Sequence, residues 1–201
     1  MHFKNISQDT DTLYALKENE RCIFFLLNRS DTLTFSLLGA GAQAHIFAFF
    51  IGQDADAFTL TINQKHLAPH TISHTLVKSA LSDASALTYK GLIHIDKNAV
   101  QSDASQESRA LLLSSEAKAS MEPTLEILAN DVLCRHAATT APLNQEALFF
   151  AKSRGLSKAQ AATLLINGFF NEALLKMETL GIKTKGEATA LTAQLKTFHY
   201  K

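Results

Sequence analysis

A chain of 201 residues with 46% hydrophobic and 19% charged side chains can bury a substantial core, so one or two globular domains are expected. Formal net charge is zero, with 11 basic and 15 acidic residues up to position 140 and 8 and 4 beyond it. That asymmetry is small and carries no Lys/Arg run, which argues against a nucleic-acid-binding protein.

The N-terminus has no basic start followed by an apolar block, so a secretory signal is not expected. Cys22 and Cys134 are the two cysteines, too few for a secreted disulfide scaffold, which favours a reducing compartment. The apolar run 46–52 is too short to cross a bilayer. A cytoplasmic protein without membrane contact is the expectation.

Thirteen Phe stand against no Trp. Many fall in short apolar runs at 22–27, 33–38, 46–51 and 58–62, each ended by small or polar residues. That length and punctuation predict strands. Further strand signals follow at 92–95, 111–113 and 125–128, with bends at GAGAQA (39–44), KNAVQSDAS (97–105) and SSEAKASM (114–121). A train of short strands without helices between them fits a β-sandwich or a solenoid of stacked turns. No fixed repeat length separates the two.

The pattern changes after Pro142. NQEALFFAKSRG predicts a helix with Ala147, Leu148 and Ala151 on one stripe, stopping at Gly155. Ser157 is placed to cap a second helix, whose apolar stripe is read as Ala161, Leu164, Leu165 and Phe169. Gly168 within it marks either a kink or a close approach by another chain. GEATALTAQLKTFHY predicts a last helix after Gly181. The expected division is residues 1–140, β-rich, and residues 141–201, helical.

Cys134 and His136 are two apart, so on a strand they share a face. Both residue types are metal ligands, but two ligands do not close a structural site. Their alternatives are buried packing or half of a site shared with another subunit. His66, His70 and His74 are spaced four apart, which would align them on a helix. Pro69 and the β-branched Thr71, Ile72 and Thr75 favour extended chain instead, where the three separate. No phosphate loop, dinucleotide fingerprint, zincin motif or nucleophile elbow is present. Catalysis by this chain alone is not expected.

Four segments in order, HLAPHT, QSDASQESRALLLS, PTLEILANDVLCRHAAT and LFFAKSRGLSKAQAATLLINGFF, resemble the core of the SufB/SufD family of iron–sulfur cluster assembly scaffolds. The Cys-x-His arrangement, without a cysteine-rich stretch, is closer to SufD, here shortened at its N-terminus. The resemblance implies a right-handed parallel β-helix followed by a small helical domain. It also implies pairing with a SufB-like chain, or with a second copy in isolation, and docking of a SufC-like ATPase that supplies the hydrolysis.

In family terms His136, with Cys134 as neighbour, lies at the heterodimer interface. There a transient cluster would form with His136 as a shared ligand, no cofactor being tightly held by the isolated chain. The stretch 143–170 corresponds to the ATPase-docking region, which selects Leu148, Phe149, Arg154, Gly155, Leu164, Leu165, Gly168, Phe169 and Phe170. Ala137 stands where the family commonly has glycine. The alternative is a binding module that keeps the fold and has lost the cluster role.

Overall fold

The computed structural model describes residues 1–183 and 185–197. Among these, eleven strands precede three helices: β1 (His2–Asn5), β2 (Leu13–Leu16), β3 (Arg21–Leu27), β4 (Asp31–Leu37), β5 (Gln43–Gly52), β6 (Ala57–His66), β7 (Ile72–Leu81), β8 (Ala86–Ile95), β9 (Asp103–Leu112), β10 (Lys118–Ile127), β11 (Leu133–Pro142), then α1 (Gln145–Ser153), α2 (Lys158–Thr179) and α3 (Lys185–Thr197). The odd strands form one sheet in the order β1-β3-β5-β7-β9-β11, and the even strands form a second in the order β10-β8-β6-β4-β2. Every pairing is parallel. The chain alternates between the two sheets as it advances, which makes a parallel β-solenoid and resolves the choice against the sandwich.

The missing repeat length has a structural cause. Cys22 lies beside His2 and Gln43 beside Arg21, whereas Ile72 lies beside Gln43, Asp103 beside Ile72 and Leu133 beside Asp103. The first rungs advance 20 and 22 residues and the later ones 29, 31 and 30, so no single period fits.

The two sheets have different surroundings, and the sequence patterns follow. Alternate residues of β3 and β5 enter two separate clusters. Phe24, Leu26, Ile46, Ala48 and Phe50 point into the lumen, while Ile23, Phe25, Phe47, Phe49 and Ile51 pack against the helices. Burial on both faces makes these strands continuous apolar runs. In β4, β6 and β8 only the lumen face is buried, and apolar positions alternate with polar ones.

Corners are held by left-handed residues. Asn19, His70 and Gln101 have positive φ at successive corners on one side, and Asn28, Asp54 and Asp83 on the other. Gly41 takes the same conformation in the first row at φ 72, where it costs least. Turns stack through backbone bonds: Asn19 N–H donates to Ala40 C=O, Gly41 N–H to Pro69 C=O and His70 N–H to Val100 C=O.

Asn144 caps α1 by accepting from Ala147 N–H, and Ser157 and Gln160 form a reciprocal capping box on α2. Gly155, at φ +93, makes the break between the two helices. The apolar seam of α2 differs from the expected stripe. Ala161, Ala162, Ile166, Phe170, Ala173, Leu174 and Met177 are buried, whereas Leu164 is exposed. The seam follows the outer face of the odd-numbered sheet, and α2 continues unbroken through Gly168 with open space beside it. α3 begins at Lys185; the end of the last expected helix, Phe198 to Tyr200, lies outside the described residues.

A candidate site at the open end of the solenoid

β11 and β10 are the last strands of their sheets, so among the described residues the final rung has no further rung above it. On β11 the alternation places Cys134 beside Ala104 and His136 beside Gln106, both lumen positions. Cys134 is half-buried, packed against a small cluster of Ile93, Ile95, Ala99, Ala104 and Ala129. Burial raises its thiol pKa above the ordinary value, so it is a protonated, weakly nucleophilic thiol at neutral pH. His136 is exposed at the mouth. Ile127 at the end of β10, Leu128 just beyond it and Leu133 at the start of β11 are exposed apolar side chains on the same terminal rung.

The same register column settles whether the cysteines meet. Cys22 lies beside Ala44, Ala44 beside Ser73, Ser73 beside Ala104 and Ala104 beside Cys134. Four strand spacings separate the thiols, roughly 19 Å.

Beneath the mouth the lumen changes character. The early rungs fill it with Phe24, Phe35, Ile46 and Phe50. The later ones place Gln64, His66, Ser73, Thr75, Ser79, Gln106 and Ser108 there, all buried. Three of these, Gln64, Ser73 and His66, form a continuous hydrogen-bond chain with the corner residues Thr71 and Ser102. Gln64 Nε2 donates to Ser73 Oγ at 2.6 Å, Ser73 Oγ contacts His66 Nε2 at 2.7 Å, His66 Nδ1 contacts Thr71 Oγ1 at 2.7 Å, and Thr71 Oγ1 contacts Ser102 Oγ at 2.7 Å. Burial pushes the His66 pKa down to about 4, so its ring is neutral. Thr71 Oγ1 also donates to Ala68 C=O, a direction consistent with Nδ1 carrying the proton.

The spaced histidines therefore reach three environments, as an extended chain requires. His66 is buried in the lumen, His70 forms a left-handed corner at φ 59, and His74 faces outward from β7. His74 packs edge-on against His45, with ring centroids 5.3 Å apart, in a cleft of about 240 Å³ beside the C-terminal turn of α2. This cleft lies on the opposite face of the sheet from His136. Among the described residues, no group of three or more His, Cys, Asp or Glu converges as a metal site.

The polar lumen was not singled out in the sequence. DASQESRALL alternates polar with small residues, and with polar side chains on both faces the pattern does not tell inside from outside.

The helical candidates divide by burial. Leu148 and Phe170 are buried, and Leu165 and Phe169 pack partly against the same cluster. Phe149, Phe150 and Leu164 are 74%, 60% and 55% exposed. Arg154 lies over the Phe150 ring at 5.0 Å, which leaves an aromatic and cationic patch on α1.

The family description "SUF system FeS cluster assembly, SufBD core domain" matches residues 27–169. The chain is 28% identical over 161 residues to the iron–sulfur cluster assembly protein SufD of Bacillus subtilis, covering 79% of this chain and 37% of that protein. It is 32% identical over 111 residues to SufD of Escherichia coli, covering 55% and 26%. An iron–sulfur cluster assembly SufBD family protein of Mycobacterium tuberculosis is 31% identical over 147 residues, covering 69% and 37%. The chain thus spans between about a quarter and two fifths of the length of these relatives.

Proposed function

The chain belongs to the SufBD core family of the SUF iron–sulfur cluster assembly system, and from that premise we propose that it is a non-catalytic, SufD-like scaffold subunit. It pairs through the open end of its solenoid with a SufB-like chain and presents its helical region to a SufC-like ATPase. One observation carries this reading: His136 and the half-buried Cys134 share the lumen face of β11, a terminal strand that among the described residues is paired along one edge only. A strand edge of this kind favours pairing with another strand, and the exposed Ile127, Leu128 and Leu133 of the terminal rung favour coverage.

Two potential ligands are too few for a closed site and suffice for half of one completed across an interface. The imidazole of His136 would supply nitrogen to the nascent cluster, which is cargo here. Cys134, its thiol pKa raised by burial, would give up its proton only where a metal replaces it. The exposed Phe149, Phe150 and Arg154 provide an anchor of the kind that dominates interface energy.

The test is reconstitution of the complex with His136→Ala. The variant is expected to fold, to bind both partners and to lose most cluster yield. Normal yield in a fully assembled complex would contradict the reading and favour a module that has kept only its binding role.

A further inference from the structure

Directly below His136 lies a buried amide with no hydrogen-bond partner. His136 stands beside Gln106 in register, and Gln106 beside Thr75. Gln106 is 2% exposed, yet neither its Oε1 nor its Nε2 has a partner among the described residues. Leaving a buried amide unsatisfied is destabilising, so an apolar side chain would serve packing better.

Space for this amide is made across the lumen. A Cβ on Gly91 would lie 2.3 Å from Gln106 Oε1 and 2.8 Å from the Tyr89 hydroxyl. Gly91 therefore seats the amide by lacking a side chain. Tyr89 OH and Thr75 Oγ1 are likewise buried and unpartnered. On the next rung of Gln106's column, the hydrogen-bonding side chain is the imidazole of His136.

We propose that Gln106 is the positioning residue of His136: its amide, seated against Gly91, holds one imidazole nitrogen so that the other is presented at the open end. The two side chains are not hydrogen-bonded in this structure, but adjacent strands are about 4.8 Å apart, so rotation of the exposed imidazole can bring one of its nitrogens to the amide. Seated against Gly91 in one orientation, the amide offers the imidazole nitrogen it meets either a donor or an acceptor, and so favours one neutral tautomer. Ligating histidines ordinarily have their second nitrogen tied in this way. The value of the arrangement for assembly rests on His136 being a cluster ligand; the contact itself does not.

The test is imidazole nitrogen NMR of the isotope-labelled chain at mildly alkaline pH, with the His136 signals identified by their loss in His136→Ala. The wild-type signals are expected to report one dominant tautomer. Gln106→Met keeps the length and lacks donor and acceptor. It should move His136 to the mixture of a free imidazole, with an unchanged or higher urea midpoint. Gly91→Ala retains Gln106, fills its seat and should give the same spectral change, so the test survives if either variant fails to fold. An unchanged tautomer ratio in the folded variants overturns the proposal. In the assembled complex, Gln106→Met is expected to lower cluster yield about ten-fold or more. Full yield in His136→Ala together with the spectral change would leave the positioning contact standing and overturn the ligand role of His136.

Discussion

Lys78 donates to Glu172 across 2.7 Å from a side chain with no exposure to solvent. The pair joins β7 to α2. The Lys78 ammonium also donates to Phe169 C=O and lies 4.4 Å from the centre of the Phe169 ring. Glu172 in turn meets Arg109 at 3.1 Å and Lys176 at 3.4 Å. The Lys78 hydrogen bond leads in holding the Glu172 carboxyl below the usual range, while burial pulls the Lys78 pKa down. One partly exposed carboxylate thus compensates a buried cation between solenoid and helices.

Removing only the carboxylate should therefore cost more than replacing the buried cation. Glu172→Gln is expected to destabilise the chain by about 2 kcal/mol, discounted for the exposure of Glu172. Lys78→Met retains apolar packing and should cost less. Urea unfolding of the two variants checks the order.

The buried imidazoles make stability depend on pH. Folded pKa values of His45 and His66 lie near 4, against 6.5 for the solvent-exposed imidazole of the unfolded chain, with burial the leading cause in both. Between those values the unfolded chain binds more protons, so stability should fall as pH drops from 6.5 toward 4. The loss from His66 alone is on the order of 3 kcal/mol. Urea midpoints measured across this window should fall steeply, and His66→Gln should flatten the slope from a lower starting stability.

The cysteines should react differently and never with each other. Cys22 is 7% exposed with its thiol pKa pushed up to about 11, whereas Cys134 is half-buried at the mouth. Maleimide labelling of the native chain is expected to modify Cys134 several-fold faster, and the difference should vanish in denaturant. Under mild oxidation the isolated monomer should form no internal disulfide, since roughly 19 Å separates the thiols.

Neighbouring aromatic positions on the helices should separate stability from docking. Phe170 is 1% exposed and packs edge-on against Phe49 at 6.0 Å. Phe170→Ala should cost about 3–5 kcal/mol. Phe149 is 74% exposed, so Phe149→Asp should leave thermal unfolding within about 0.5 kcal/mol of wild type. On the proposed function it should weaken ATPase binding at least ten-fold, measured by calorimetry with the purified partner.

Much of this architecture could be read in the residues, but unevenly. The continuous runs around Phe24, Phe47 and Phe49 announced strands because both of their faces are buried. β7 escaped notice because its lumen positions, Ser73, Thr75 and Ser79, are polar. β1 and β2 carry only four residues each and gave no signal. The solenoid was hidden by the change in rung length between β5 and its predecessors, and the family resemblance rather than periodicity brought it forward. Cys134 and His136 were legible as a pair. Gln106 and Gly91 were not, because their meeting across the lumen joins β9 to β8 and depends on the two sheets facing each other. The seam of α2 was misplaced at Leu164, since neighbouring apolar residues leave the buried angle undecided until the sheet face is known.

The most direct test of the account is anaerobic co-purification of the tagged chain from native cell extract, reading partner identity by mass and the content of iron and acid-labile sulfide. Recovery of a SufB-like chain and a SufC-like ATPase, with iron and sulfide that disappear in His136→Ala while both partners remain, is the expected result. Self-association alone, free of iron and sulfide, would contradict the scaffold role and leave a solenoid that has kept its family's fold without its chemistry.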